Sequence, residues 1–388
     1  MQLFGSQPII SAIARIICQD RNVAKMGEKL EPPTLRSSRV RRWLAHLWRE
    51  WTVESFRPIA PAFAKPNPAE WSDERVTVAW LGHATVLINF FGIKILTDPV
   101  LFPRIGIRIP FLFTIGPKRL TAPALSVSEL PKIDIVLLSH AHFDHFDIRT
   151  LHRLSRRRSP RRPEADLDAS TKIITAPRTR DLLRWTKLRD ITELRWGEQK
   201  SITTSAGEIN IVAFRVKHWG ARMQRDDYRG YNGYLLERNG RRIIFGGDTA
   251  MTDDFQQLRS YGSIAGPGSA GQLLQSRATA TSKDATPGSW ATPPVESIGC
   301  PSGTKWVDLA IMSIGCYNPW IRTHCNPEQA VQMANDAGAQ FIMPVHHQTF
   351  RLSFEPFREP IERFEAALGN QPERIALREI GETFVLPL

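Results

Sequence analysis

From Arg75 onward, short apolar runs alternate with glycine, proline and aspartate: RVTVAWLG, TVLINFFG, IKILTDP and IDIVLLSH. Each reads as a buried strand, because valine, isoleucine and leucine crowd a length too short for a helix. The texture returns in KSITTSAGEINIVAFRVKHWG, YNGYLLERNGRRIIFGGDTA, WVDLAIMSIG and FIMPVHHQTF, with helical stretches such as TRDLLRWTKL between. In CNPEQAVQMANDAG, Asn326 is placed to cap a helix that begins at Pro327, and Gly338 to stop it. Strands crowd the first part and helices intervene later, so the pattern predicts a layered α/β domain.

Two segments lack this texture. Residues 1–70 are rich in arginine and proline and read as an N-terminal arm ahead of the main domain at 71–388. Within the arm, Val40, Trp43, Leu44, Leu47, Trp48 and Trp51 recur at helical spacing while Arg41, Arg42 and Arg49 fall on other faces, which predicts an amphipathic helix. Such a helix either packs on its own domain or lies at a membrane surface. Residues 262–304 are dominated by glycine, alanine, serine, threonine and proline without apolar period, and read as a disordered insertion.

Composition narrows the class. The chain has 388 residues, 42% hydrophobic and 23% charged, which suits a folded core and excludes a multi-span membrane protein. Cys18, Cys300, Cys316 and Cys325 match no zinc-finger spacing and no dense disulfide framework, which points to free thiols and a cytoplasmic location. The apolar stretch near the N-terminus has no basic residue ahead of it, so it makes a poor secretory signal. A net charge of +12 favours a polyanion, be it lipid headgroup, nucleic acid or phosphorylated substrate. Part of that charge lies in RLSRRRSPRR, a run that also reads as a solvated loop.

The chemistry concentrates in SHAHFDHFD (139–147), directly after the strand IDIVLL. His140, His142, Asp144 and His145 are all metal-ligand types, and their odd spacing suits a short turn at a strand end. Two ions need more ligands than one turn supplies. His218 follows INIVAFRVK, Asp248 follows RRIIFGG and His346 follows QFIMPV, each where a buried strand emerges. Adjacent strand residues face opposite ways, so of His346 and His347 only one is expected to be a ligand, and His346 is preferred.

The order H-x-H-x-D-H, then a distant histidine, an aspartate in GDT and a final histidine, resembles the metallo-β-lactamase superfamily. The likeness spans about Arg75 to Gln348. Within it, WLGHATVLI (80–88), ILTDPV (95–100), KHWG (217–220), GGDTAM (246–251), IGCYNPW (314–320), HCNPEQA (324–330) and MPVHHQTF (343–350) are most similar to N-acylphosphatidylethanolamine-hydrolysing phospholipase D and its bacterial relatives. The resemblance implies a four-layer αβ/βα sandwich and two divalent metal ions, with zinc the first choice. Carried over by position, one ion goes to His140, His142 and His218, the other to Asp144, His145 and His346, and Asp248 bridges them. Asp98 in TDP and His83 in GHAT are expected to orient ligands or substrate, and His324 is a candidate proton donor. Two departures stand out: His347 replaces the tryptophan usual after the last ligand, and the insertion interrupts the stretch after GDT.

Such a site implies hydrolysis by water activated between the ions, and leaves the substrate open. The segment VLFPRIGIRIPFLFTIGPKRL (100–120) is apolar for a loop and carries Arg104, Arg108, Lys118 and Arg119; it either buries itself or receives acyl chains with cations on a headgroup phosphate. With the tryptophan-bearing helix, it favours a phospholipase D-like phosphodiesterase acting on an N-acylphosphatidylethanolamine or related phospholipid. Peripheral membrane contact would then run through that helix and the 101–119 loop. A lactonase and an RNA-processing nuclease are the alternatives on the same fold, nucleic acid being the less favoured because no RNA-gripping domain is evident. A silent scaffold would be expected to lack ligands, and none is missing. Monomer and homodimer both stay open.

Overall fold

The computed structural model describes residues 56–108, 114–157, 170–223, 226–259 and 306–388. The amphipathic helix expected at 40–51 and the insertion expected at 262–304 lie outside them.

Two sheets carry the molecule. In the first the order is β15 (Thr383–Val385), β1 (Val76–Gly82), β2 (Thr85–Phe90), β3 (Ile93–Thr97), β6 (Ile135–Leu138), β7 (Lys172–Thr175) and β8 (Asp190–Glu193). The first three pairings are antiparallel, and from β3 onward the strands run parallel, Ile95 opposite Ile135 and Leu137 opposite Ile174. The second sheet runs β14 (Ala339–Val345), β13 (Val307–Ser313), β12 (Arg241–Phe245), β11 (Gly233–Arg238), β10 (Gly207–Phe214) and β9 (Gln199–Thr204).

Period-two alternation decides what each face of the second sheet meets. Ile211, Leu236, Ile243, Leu309 and Ile311 point into a core shared with Val78, Leu87, Ile95 and Ile135 of the first sheet. Their neighbours Val212, Leu235, Ile244, Ala310 and Met312 point the other way, onto Ala330, Ala334, Ile361 and Phe364. Those last four belong to helices Pro327–Asp336 and Glu359–Leu368. A strand buried on both faces cannot show a polar side, which is why these runs read as continuously apolar. The short helix Ile148–Leu154 buries Leu151 and Leu154 against the other sheet. The result is the expected αβ/βα sandwich.

Helix Pro327–Asp336 forms where the sequence predicts it. The side chain of Asn326 accepts from Gln329 N and that of Gln329 accepts from Asn326 N, and Gly338 follows at φ 74°. TRDLLRWTKL falls short of a helix and gives only the 3-10 turn Arg180–Leu183. The apolar segment after TDP partly folds back as a ribbon, β4 (Ile107–Arg108) against β5 (Thr114–Ile115). The last described stretch of the arm, from Phe56, lies along the same segment, with Ala60 N donating to Leu120 O and Ala122 N to Ala60 O.

The sheets meet at one edge. The hydroxyl of Tyr234 on β11 donates to Leu138 O at the end of β6, and Asn232 N donates to Ser139 O. This join forms the floor on which the metal-ligand types gather.

Candidate metal centre

Each of the seven expected ligands stands just beyond a strand. His140, His142, Asp144 and His145 follow β6, in a turn closed by Phe146 N donating to His142 O at 2.8 Å. His218 follows β10, Asp248 follows β12 and His346 follows β14. Strand ends place these groups on a rigid frame while leaving the loop backbone free to aim them. Two glycines allow the approach. Gly247 has φ 59° and would place a Cβ 2.9 Å from that of Ser139, and a Cβ on Gly315 would sit 2.2 Å from the His346 carbonyl oxygen.

The ligand atoms form two groups. His140 Nε2 lies 2.8 Å from His142 Nδ1, and His218 Nε2 lies 3.3 Å from that same Nδ1. In the second group His145 Nε2 is 3.1 Å from His346 Nε2, and Asp144 Oδ2 is 3.6 Å from the first and 3.5 Å from the second. Asp248 stands between them: its Oδ2 is 3.9 Å from both His140 and His218 Nε2, and 3.0 Å and 3.3 Å from His145 and His346 Nε2.

Hydrogen bonding behind the rings says which nitrogens carry protons. Thr323 O can only accept, so His218 Nδ1, 2.8 Å away, is the donor and Nε2 presents a lone pair. Asp98 accepts from the Ser139 hydroxyl and backbone and lies 2.7 Å from His145 Nδ1, so that ring too turns a bare Nε2 inward. Because the single Ser139 proton goes to Asp98, its oxygen accepts from His140 Nδ1 at 2.8 Å, which frees His140 Nε2 as well. Lone pairs facing one another at about 3 Å repel unless a cation lies between them. This donor set fits two divalent ions.

Charge agrees with that fit. Burial would raise Asp144 and Asp248, but the surrounding imidazoles, His145 foremost, hold both carboxyls well below the usual range. Burial pulls His140, His142 and His218 down, so these rings are neutral. Without a cation between the groups the carboxylates outweigh burial at His145, held well above the usual imidazole range, and at His346, raised to about 9, so each holds a proton that a metal ion would displace from Nε2. These two stand closest to Asp248, where positive charge is most stabilised.

The remaining expected residues are in the same cleft. Asp98 orients two ligand rings as described. His83 Nε2 lies 3.0 Å from Asp144 Oδ2, its ring 4.0 Å from that of His346. His324 Nδ1 is 3.7 Å from Asp248 Oδ2, and burial lowers its pKa to about 3. His347 faces away, its ring 4.6 Å from that of Trp80. Sequence reasoning missed Ser139, the Thr323 carbonyl and Ser313, whose hydroxyl lies 2.9 Å from Asp248 Oδ1.

Of the two readings of the loop after TDP, Arg119 follows the buried one. Arg119 does not reach for an anion: it is fully buried, and its guanidinium donates to the carbonyls of Val100, Phe102 and Thr121. Burial lowers its pKa to about 9, and a polar side chain desolvated to that degree serves the loop that surrounds it. The apolar tip of that loop, residues 109–113, lies outside the described residues.

A family model described as a beta-lactamase superfamily domain matches residues 94–264. An uncharacterized protein of Mycobacterium tuberculosis is 29% identical over 327 residues, covering 83% of this chain and 71% of its own length. N-acyl-phosphatidylethanolamine-hydrolyzing phospholipase D 1 of Caenorhabditis elegans is 26% identical over 315 residues, covering 78% of this chain and 72% of its own. Among solved structures, an isothiocyanate hydrolase from Delia radicum gut bacteria has a TM-score of 0.53 at 14% identity, covering 80% of this chain and 100% of its own. That likeness is one of fold.

Proposed function

We propose that the chain is a metal-dependent hydrolase of the beta-lactamase superfamily, and within it a binuclear phosphodiesterase of phospholipase D type acting on an N-acylated or related phospholipid. The observation that carries the binuclear part is the position of Asp248 Oδ2, within 3.9 Å of His140 and His218 on one side and 3.3 Å of His145 and His346 on the other.

In this reading His140, His142 and His218 would hold one ion, Asp144, His145 and His346 the other, and Asp248, placed between the two groups, would serve both. Zinc suits the nitrogen-rich donor set. The ions, when bound, supply Lewis acidity and lower the pKa of water towards neutrality. The chain's own residues do the rest. Asp98 and Ser139 fix the tautomers of His145 and His140. His83 Nε2 steadies Asp144 at Oδ2, the oxygen that faces His145 and His346. His324, neutral because burial lowers its pKa to about 3, offers a hydrogen bond to a substrate oxygen and stays the candidate proton donor.

The lipid part rests on the Caenorhabditis elegans relative and on the chemistry of the rim. Val100, Ile105 and Phe350 form a small apolar cluster with Phe143 and Leu352, and the Phe350 ring is 5.3 Å from that of His83. Ile321, Phe354 and Phe357 are exposed and lie within three residues of the exposed Arg322, Arg351 and Arg358 in the sequence. Exposed apolar groups among arginines suit a peripheral contact with anionic lipid. The test is hydrolysis by the zinc-loaded chain of an N-acyl phospholipid in mixed micelles, a generic phosphodiester, a lactone and a structured RNA. The lipid should be turned over fastest. Turnover of the lactone alone or the RNA alone would overturn the reading.

A further inference from the structure

The turn from His140 to Phe146 carries four of the ligand-type side chains, but its own backbone bonds are few. Phe146 N and His145 N donate to His142 O, at 2.8 Å and 3.2 Å. The carbonyls of Ala141 and Phe146 turn outward, and one atom takes both. Arg222 Nη1 donates to Ala141 O at 2.9 Å and to Phe146 O at 2.7 Å. The guanidinium carbon stands 4.0 Å from the centroid of the Phe143 ring. Ala141, Phe143 and Phe146, the three residues of the turn between and beside the ligands, therefore all meet one side chain.

Arg222 also stands four residues beyond His218, whose Nε2 lies 3.3 Å from His142 Nδ1. The strap from 218 to 222 thus touches the turn twice, at a ligand and at a clamp. Its far end is rooted. Gly220 packs so close to the backbone that a Cβ would fall 2.1 Å from Arg229 O. Asp226 accepts from Met223 N and from Arg229 Nε, and Arg229 makes two further bonds to the Asp181 carboxylate, at 2.6 Å and 2.9 Å. A clamp mounted on so many contacts can resist a load.

We propose that Arg222 is a positioning residue for the metal pair, holding the Ala141 and Phe146 carbonyls to one nitrogen so that the ligands within the turn keep a fixed spacing before any ion arrives. The proposal rests on the ligand assignment above. The turn supplies ligands to both half-sites, His140 and His142 to one and Asp144 and His145 to the other. Loosening it raises the cost of assembling both. A guanidinium suits the task because it is planar, stands over the Phe143 ring and keeps its charge; an ammonium can meet a carbonyl but cannot stack.

The test compares zinc affinity of wild type, Arg222→Lys and Arg222→Met by chelator competition, at a temperature where circular dichroism shows all three folded. The cobalt-substituted d–d spectrum serves as a second readout. Removing an outer partner of a metal ligand costs about 10–100-fold in affinity. Arg222→Met should therefore bind at least about 10-fold more weakly with a changed cobalt spectrum, and Arg222→Lys should fall between. A purely structural arginine would lower the melting temperature and leave the affinity of the folded protein alone. Affinities within about twofold of wild type would overturn the clamp while leaving the ligand assignment standing. A wild-type chain that takes up no metal would sink both. Should Arg222→Met fail to fold, the lysine variant decides by the same twofold criterion.

Discussion

A histidine becomes a metal ligand only when something behind it fixes which nitrogen is bare. Here Asp98 does this for two rings at once, accepting at His145 Nδ1 directly and reaching His140 through Ser139. Asp98→Asn keeps the shape, and asparagine tolerates the left-handed backbone found there at φ 31°. It loses a charge and an acceptor, so zinc affinity measured by chelator competition should fall about 10–100-fold with little change in melting temperature. Unchanged affinity would reduce Asp98 to a structural aspartate. At this scale the candidate ligands were legible and their supports were not. His140, His142, Asp144 and His145 declare their chemistry by residue type and crowding, whereas Ser139 is an ordinary serine and the Thr323 carbonyl belongs to the backbone, which the sequence encodes only through the fold. The choice of His346 over His347 followed from strand alternation, and the two rings do separate, one into the cleft and one onto Trp80.

Among the elements, those with strong local signals formed as read. The helix from Pro327 has its cap, its first-turn proline and its stop within the sequence itself. TRDLLRWTKL has helical composition but no such boundaries, and yields a single 3-10 turn. The loop after TDP was the hardest to read, because its arginines and apolar residues fit equally a loop that receives lipid and one that buries itself. For Arg119 the second holds. The sequence offered no sign that three carbonyls would need a donor at that point. Arg119→Met should leave those carbonyls without their partner, at about 1–3 kcal/mol for each that finds no water. A fall of several degrees in melting temperature is expected, with the metal count unchanged. An unaltered melting temperature would mean that the loop is held by its other contacts, Arg104 Nη1 to Gly116 O and Leu120 N to Thr349 O among them.

At the scale of the whole molecule, two sheets share one core and meet at an edge, and the ligands come from loops of both. The first sheet supplies His140, His142, Asp144 and His145 through the end of β6, and the second supplies His218, Asp248 and His346 through the ends of β10, β12 and β14. No single loop builds a half-site alone, so the ions, once bound, tie the two sheets together and favour the folded state by mass action. The layered fold was legible because buried strands and capped helices leave patterns of fixed period. The surface was less so, since the exposure of Phe354 and Ile321 is set by the fold and not by residue type. The account depends most on the pair of ions bridged by Asp248. The direct measurement is metal content per chain by mass spectrometry, for the wild type and for Asp248→Asn after identical loading with zinc. About two ions per chain in the wild type, falling to about one or fewer in the variant, is the predicted result; no bound metal in the wild type, or the same count in both proteins, would contradict it.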